Sequence, residues 1–401
     1  MLRWLTGRMS GRAAIVAGGV GLALTLGVAP ASAQTPVSAL GLGVPVPPID
    51  ARAAALGDTG IGFETGSVSA RNPADIALYG QPVLGITYAP EGVSVKGEDG
   101  NADTGRSRVA VLRGAIPFDE WAAGVAFASE LDQDWQVSFA DTLFIEEGTF
   151  PFTEQRSQDG GLSSVNVTLA RRLGLVSVGA EYAIVTGRLQ QTYRRDFEPD
   201  IDDPSRVLGS TGGVTDWEYS GRRFRFGAAA DLTNRIHVGA DMSLQGALTA
   251  ERDSIGGAAR TRKFDMPAAF EVGASARVSE RLLVTGAGGW TGWSGAEGGS
   301  DEFVASNVVW AGVGAELTGT RLLGVSVPLR LGLRRTDLPF HPRGGDQLSE
   351  RALTMGLGVR VAEEQARVDV ALEIGSRGDL AGSGVEESFQ RLSITLALFQ
   401  N

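Results

Sequence analysis

His237 and His341 are the only imidazoles among 401 residues, and an imidazole is the usual base for a serine nucleophile near neutral pH. Neither has a serine partner visible in the sequence. His237 shares a polar register with Asp241, and His341 lies between Phe340 and Pro342. His237 and Asp241 therefore read as polar groups facing a common interior. There is no cysteine, which removes thiolate catalysis, disulfides and thiolate metal sites together. Asp196, Glu198, Asp200, Asp202 and Asp203 offer oxygen ligands but lack the fixed spacing of a calcium loop, so a solvated loop is expected there. Another acidic run, Glu130, Asp132 and Asp134, falls where an otherwise regular pattern fails. Neither an enzyme nor a bound metal or cofactor is expected.

The elements that must position these residues are strands. From about residue 83 onward the chain alternates apolar with polar or small residues, as in Ile236, Val238, Ala240, Met242, Leu244 against His237, Gly239, Asp241, Ser243, Gln245. Strand side chains alternate between faces, so one face is apolar and the other can be wet. The same holds for Val325, Val327, Leu329, Leu331, Leu333 and for Val368, Val370, Leu372, Ile374. A soluble half-buried sheet would also alternate. Short connections, such as Pro117 to Glu120, Leu232 to Asn234 and Gly319 to Arg321, take turns with long polar ones at 140–161, 195–214 and 337–349. Short turns at one end and long loops at the other are expected of an outer-membrane barrel.

The N-terminus favours the membrane. Arg3, Arg8 and Arg12 precede an apolar run that closes on Ala31-Ser32-Ala33, the pattern of a secretory signal peptide. The formal charge of −11 argues against nucleic acid as a partner. After the signal no apolar stretch is long enough for a transmembrane helix, and only a closed barrel can span lipid with strands. The fold class expected is all-β: a transmembrane antiparallel barrel of about fourteen strands with a lumenal N-terminal hatch. The divisions are 1–33 signal peptide, 34–82 hatch and 83–401 barrel. Trp217, Tyr219, Trp290 and Trp293 are expected at the long-loop interface, Phe118 and Trp121 at the other. Trp310 falls in the lumenal register, and Ser129 to Asp134 reads either as a kink in the third strand or as its end in an outer turn.

Residues 34–82 do not alternate. Asp50 to Gly57 suits a short helix with a glycine cap, and Asn72 suits the N-cap of a helix opened by Pro73. The stretch Ala51-Arg52-Ala53-Ala54-Ala55-Leu56-Gly57-Asp58, followed by Asn72-Pro73-Ala74, resembles the N-terminal hatch of the FadL-like outer-membrane transporters. Phe270 to Arg277 and Trp293-Ser294 are similar to a strand pair of that family. The related PorV-type barrels of secretion systems share the hatch pattern. The resemblance implies passive, ligand-gated uptake of hydrophobic small molecules, with Arg71, Asn72, Pro73 and Ala74 in the moving hatch and an exit through a gap in the wall. It implies outer-membrane lipid and lipopolysaccharide as surroundings. The PorV alternative implies a scaffold that binds a secretion-system protein through its loops.

Overall fold

The computed structural model describes residues 41–400 except 64–66, 98–99, 146–147, 253–259, 297–302, 323–324, 362–364 and 380–384. The expected signal peptide at 1–33 and the first residues of the expected hatch lie outside the described residues. Fourteen antiparallel strands close into a barrel. In order they are β1 Val83–Gly97, β2 Gly100–Phe118, β3 Trp121–Asp132, β4 Gly148–Leu173, β5 Val176–Phe197, β6 Thr211–Thr233 and β7 Ile236–Gln245 with its continuation Ala247–Arg252. Then follow β8 Ala269–Arg277, preceded by Arg260–Asp265, β9 Leu282–Thr291, β10 Val308–Leu317, β11 Leu329–Asp337, β12 Ser349–Val361, β13 Ala366–Asp379 and β14 Val385–Phe399. Each strand pairs with its neighbour in sequence, and β14 returns to β1 from Val83↔Phe399 to Gly97↔Val385. Closure removes the two free edges that an open sheet would present at β1 and β14.

The alternation resolves as apolar outside. Leu329, Leu331 and Leu333 of β11 project outward while Arg330 and Arg334 are buried inside. Ile236, Met242 and Leu244 of β7 face outward, with His237, Asp241 and Ser243 inward. β4 and β5 are 26 and 22 residues long, against about ten needed to span a bilayer, so they rise well beyond it. Three connections differ from expectation. The presumed loop at 140–161 is strand: β3 breaks at Gln133-Asp134 and resumes as Trp135–Ile145, a hairpin with Gly148 to Gln158. Its polar composition hides cross-strand support, since Glu154 is clasped by Arg156 and Arg195 and Phe152 packs on Phe197. The presumed tight turn after β10 holds a small hairpin, Arg321–Leu322 with Val325–Ser326. Val325 and Val327 therefore leave the wall that Leu329 begins, with Pro328, which cannot donate to a ladder, between them. Phe303–Ala305 does not belong to β10 but pairs with Phe340–Pro342 in a separate outer sheet.

The described residues from Gly41 to Leu78 run through the interior. Helix α1, Ala51–Ala55, is capped by Asp50, whose Oδ1 accepts from the Ala53 amide at 2.8 Å, and packs on β11 to β14. A turn at Gly60–Gly62 touches β7, β8 and β9, and a 3-10 turn at Pro73–Leu78 touches β2 to β6. A segment in contact with staves all around the wall lies across the barrel axis. Ala51, Ala53, Ala55 and Ala74 have no exposed surface. These small side chains let the segment's backbone pass close to the wall.

Candidate functional site

A cavity of about 180 Å³ lies between this interior segment and the outer half of the barrel. Val44 to Pro48 form one side, and Leu131, Leu162, Val185, Met266, Trp293 and Val308 give it an apolar lining. Trp293 is braced edge-on by Phe340 at 5.4 Å. Trp217, Tyr219 and Trp293, expected in an interfacial girdle, instead point inward and share one buried cluster with Leu131 and Leu162. Trp217 and Tyr219 lie on β6, which at 23 residues outruns the membrane, and Trp293 lies in a 3-10 turn just past the end of β9, so each can turn over the lumen. Trp290, by contrast, is exposed on the outer face, as are Phe118 and Trp121 at the opposite end.

The cavity's polar side is built around Arg71. Its guanidinium lies 3.0 Å from Asp58 and 3.5 Å from Glu271, and stacks 4.4 Å from the Trp310 ring. Trp310 donates to Glu271 at 3.2 Å, so its lumenal register reflects a packed interior. Burial pushes Asp58 up to about 6, against the opposing pull of Arg71 and Arg334. Asn72 caps the next turn: its Oδ1 accepts from the Ala74 amide and its Nδ2 donates to the Ala228 carbonyl of β6, both at 2.9 Å. Pro73 lies against Gly179 and Gly227, where a Cβ would strike the Asn72–Pro73 backbone and side chains. Ala74 is fully buried. Arg113 and Arg225 reach in from the wall and donate to the carbonyls of Ser69, Ala70 and Arg71. The four residues Arg71 to Ala74 are thus brought together, held by the wall from both sides. Asp75 follows, pushed up to about 8 by burial, with Arg113 pulling the other way.

Glu130, Asp132 and Asp134 mark a real interruption of the wall. β2 and β3 pair from Phe118↔Trp121 to Val111↔Ala128 and no further. Beyond that point β2 stays with β1, while β3 bulges between Ser129 and Leu131 against β4. The freed edge of β3 is taken by Val44–Pro45, registered Val44↔Asp132 and Pro45↔Leu131, and the Val46 amide donates to the Glu130 carbonyl at 2.9 Å. Glu130 turns inward to Arg223 at 2.7 Å and Ser164 at 2.5 Å. Asp132 meets Arg106 and Arg108, and Asp134 accepts from the Gly160 amide at 2.8 Å. From Asp132 an ion-pair ladder runs round the inside of the wall through Arg108, Glu91, Arg377, Glu350 and Arg334. Glu350 and Arg334 are themselves cavity residues.

His237 and Asp241 both face inward but do not pair. His237 Nδ1 is 2.9 Å from Asp231 Oδ1, while Asp241 lies 3.3 Å from Arg225. The β6–β7 turn brings Asp231 level with His237 in the ladder, a cross-strand proximity that same-strand spacing cannot reveal. His341 does have a serine neighbour, with Nε2 2.9 Å from Ser306 Oγ. His341 belongs to the outer sheet, Ser306 directly follows its other strand, and neither lines the cavity. In the acidic loop Asp200 accepts from the amides of Thr149 and Asp202, and Asp203 pairs with Arg206 at 3.3 Å. Sequence reading puts Trp293 in the girdle rather than in the cavity, and misses Glu271 and the Val44–Val46 bridge. Of the two missed, only Glu271 carries a signal, its inward register.

The architecture matches solved structures. A Pseudomonas aeruginosa FadL homologue superposes over 89% of this chain and 99% of its own, with a TM-score of 0.62 and 13% identity. The Pseudomonas putida toluene transporter TodX covers 87% and 96% at 0.55 and 16% identity. The Ralstonia pickettii toluene transporter TbuX covers 91% and 100% at 0.55 and 17% identity. At such identities the likeness is one of fold. No family model and no curated protein sequence matches the chain.

Proposed function

We propose that the chain is an outer-membrane channel for hydrophobic small molecules, which enter from outside, rest in the cavity and leave sideways between β2 and β3. The observation that carries this reading is adjacency: Leu131 lines the cavity and stands at the interruption of the wall, and the Val44–Val46 bridge borders both. An apolar solute gains about 25 cal/mol per Å² on leaving water, so a lateral step into lipid is downhill where passage along a charged lumen is not. The interior segment blocks the axial route, and Arg71 to Ala74 form the hatch whose shift admits the solute. Lipid covers the apolar belt, and lipopolysaccharide surrounds the tall outer strands. The fold shared with the toluene transporters supports the same reading.

The absence of native cysteine makes a lock simple to build. Ser129 Oγ donates to the Val109 carbonyl at 2.8 Å across the interruption. The double variant Val109→Cys/Ser129→Cys, bridged by a short thiol cross-linker in proteoliposomes, is expected to stop entry of a radiolabelled hydrophobic solute and to recover on reduction. Undiminished uptake in the cross-linked protein would overturn the lateral route. No uptake by the unmodified protein would leave the scaffold alternative, tested by co-purification of a secretion-system protein.

A further inference from the structure

Resting on that reading, we propose that the cavity is specific for an uncharged, ring-sized solute bearing a hydrogen-bonding group, of the phenol kind, and excludes carboxylates such as fatty acids. Size is the first argument. A cavity of about 180 Å³ compares with an engineered cavity of about 150 Å³ that takes up benzene. A long acyl chain could enter it only in part and would have to extend out of it.

Charge is the second. The cavity meets four arginines, Arg71, Arg223, Arg225 and Arg334. Each is within 4.0 Å of two carboxylates: Asp58 and Glu271, Glu130 and Glu181, Glu181 and Asp241, and Glu350 and Glu373, in that order. A ligand carboxylate would have to displace one of these while losing its own hydration, in a site already rich in negative charge. An organic cation finds no vacancy either, because the lining acids Asp58, Glu130, Glu271 and Glu350 are paired with those same arginines. What remains for recognition is neutral. Ser243, Gln245, Thr291 and Thr336 line the same cavity as Trp293, Leu131 and Leu162 and can offer it hydroxyl and amide groups. An amphipathic neutral ring satisfies both kinds of lining at once.

The test is calorimetric titration of the full-length protein in detergent at pH 7.5 with phenol, toluene, benzoate and palmitate, alongside uptake of the same four into proteoliposomes. Phenol is expected to bind at least tenfold more tightly than benzoate, which differs mainly in charge, and more tightly than toluene. Thr336→Val with Ser243→Ala is expected to bring phenol down to toluene, and Leu162→Trp to reduce both by filling the space. A properly folded double variant that keeps the phenol preference, or benzoate or palmitate binding as tightly as phenol, would overturn the inference. Palmitate uptake alone would do so while leaving the transport reading intact. Uptake of none of the four would bring down the transport reading, and the inference with it.

Discussion

At the scale of single residues, Asn72 carries two backbone hydrogen bonds from one side chain, one within its own turn and one to β6. Asn72→Ala removes a cap and the bond to the Ala228 carbonyl, a loss of about 1–3 kcal/mol from docking of the segment. Faster proteolytic nicking near residues 70–78 would register it. Gly227→Ala should act from the opposite side, since its Cβ would stand 2.7 Å from Pro73 Cδ; the expected outcome is a raised leak conductance in planar bilayers with the barrel still heat-modifiable on gels. Asp75 and Asp58 add a pH dependence. Both carboxyls are pushed up from 3.8 by burial, to about 8 and about 6. An undocked segment ionises first, so docking is most stable below pH 4 and weakens as pH rises through those values. Leak conductance is therefore expected to be higher at pH 8 than at pH 5. Asp75→Asn should flatten the part of that rise above about pH 6, and an unchanged slope in this variant would refute the assignment.

Among the elements, β3 is the one whose irregularity has a use. Its ladder with β2 stops at Ala128, and two residues of the interior segment complete the edge. Val44→Pro would remove an amide from that short bridge, and is expected to raise the uptake rate by more than it changes binding in the cavity that Val44 also lines, read by comparing uptake rate with titration. The acids at 130, 132 and 134 were visible as a lapse in alternation, and Asn72 as a cap, because both are local patterns. The bridge was not visible, nor was the hairpin at 135–158. Period-two alternation says which face a side chain takes, whereas neighbours across a barrel depend on strand stagger and on pairings between distant residues. The same limit hides Asp231 as the partner of His237 and the inward turn of Trp217 and Trp293.

For the whole molecule, the outer register was legible along the membrane-spanning part of the staves, where lipid demands apolar residues at the outward positions. The interior follows no such rule; its charges are satisfied by partners such as Glu91 with Arg106, Arg108, Arg377 and Arg391, drawn from four strands that are adjacent only once the barrel closes. Deleting residues 35–74 is expected to open a water-filled lumen and raise ion conductance by tenfold or more while leaving the β signal in circular dichroism, and a conductance unchanged by the deletion would refute the hatch assignment. The seam has a consequence for assembly. The chain leaves the interior at Tyr79 to Pro82 and at once becomes β1, the strand that β14 must find. Residues 41–78 touch almost every stave and could not be threaded into a finished cylinder. The order of events is then set by geometry: the N-terminal segment collapses into a half-formed wall, and the pairing of first strand with last seals it in.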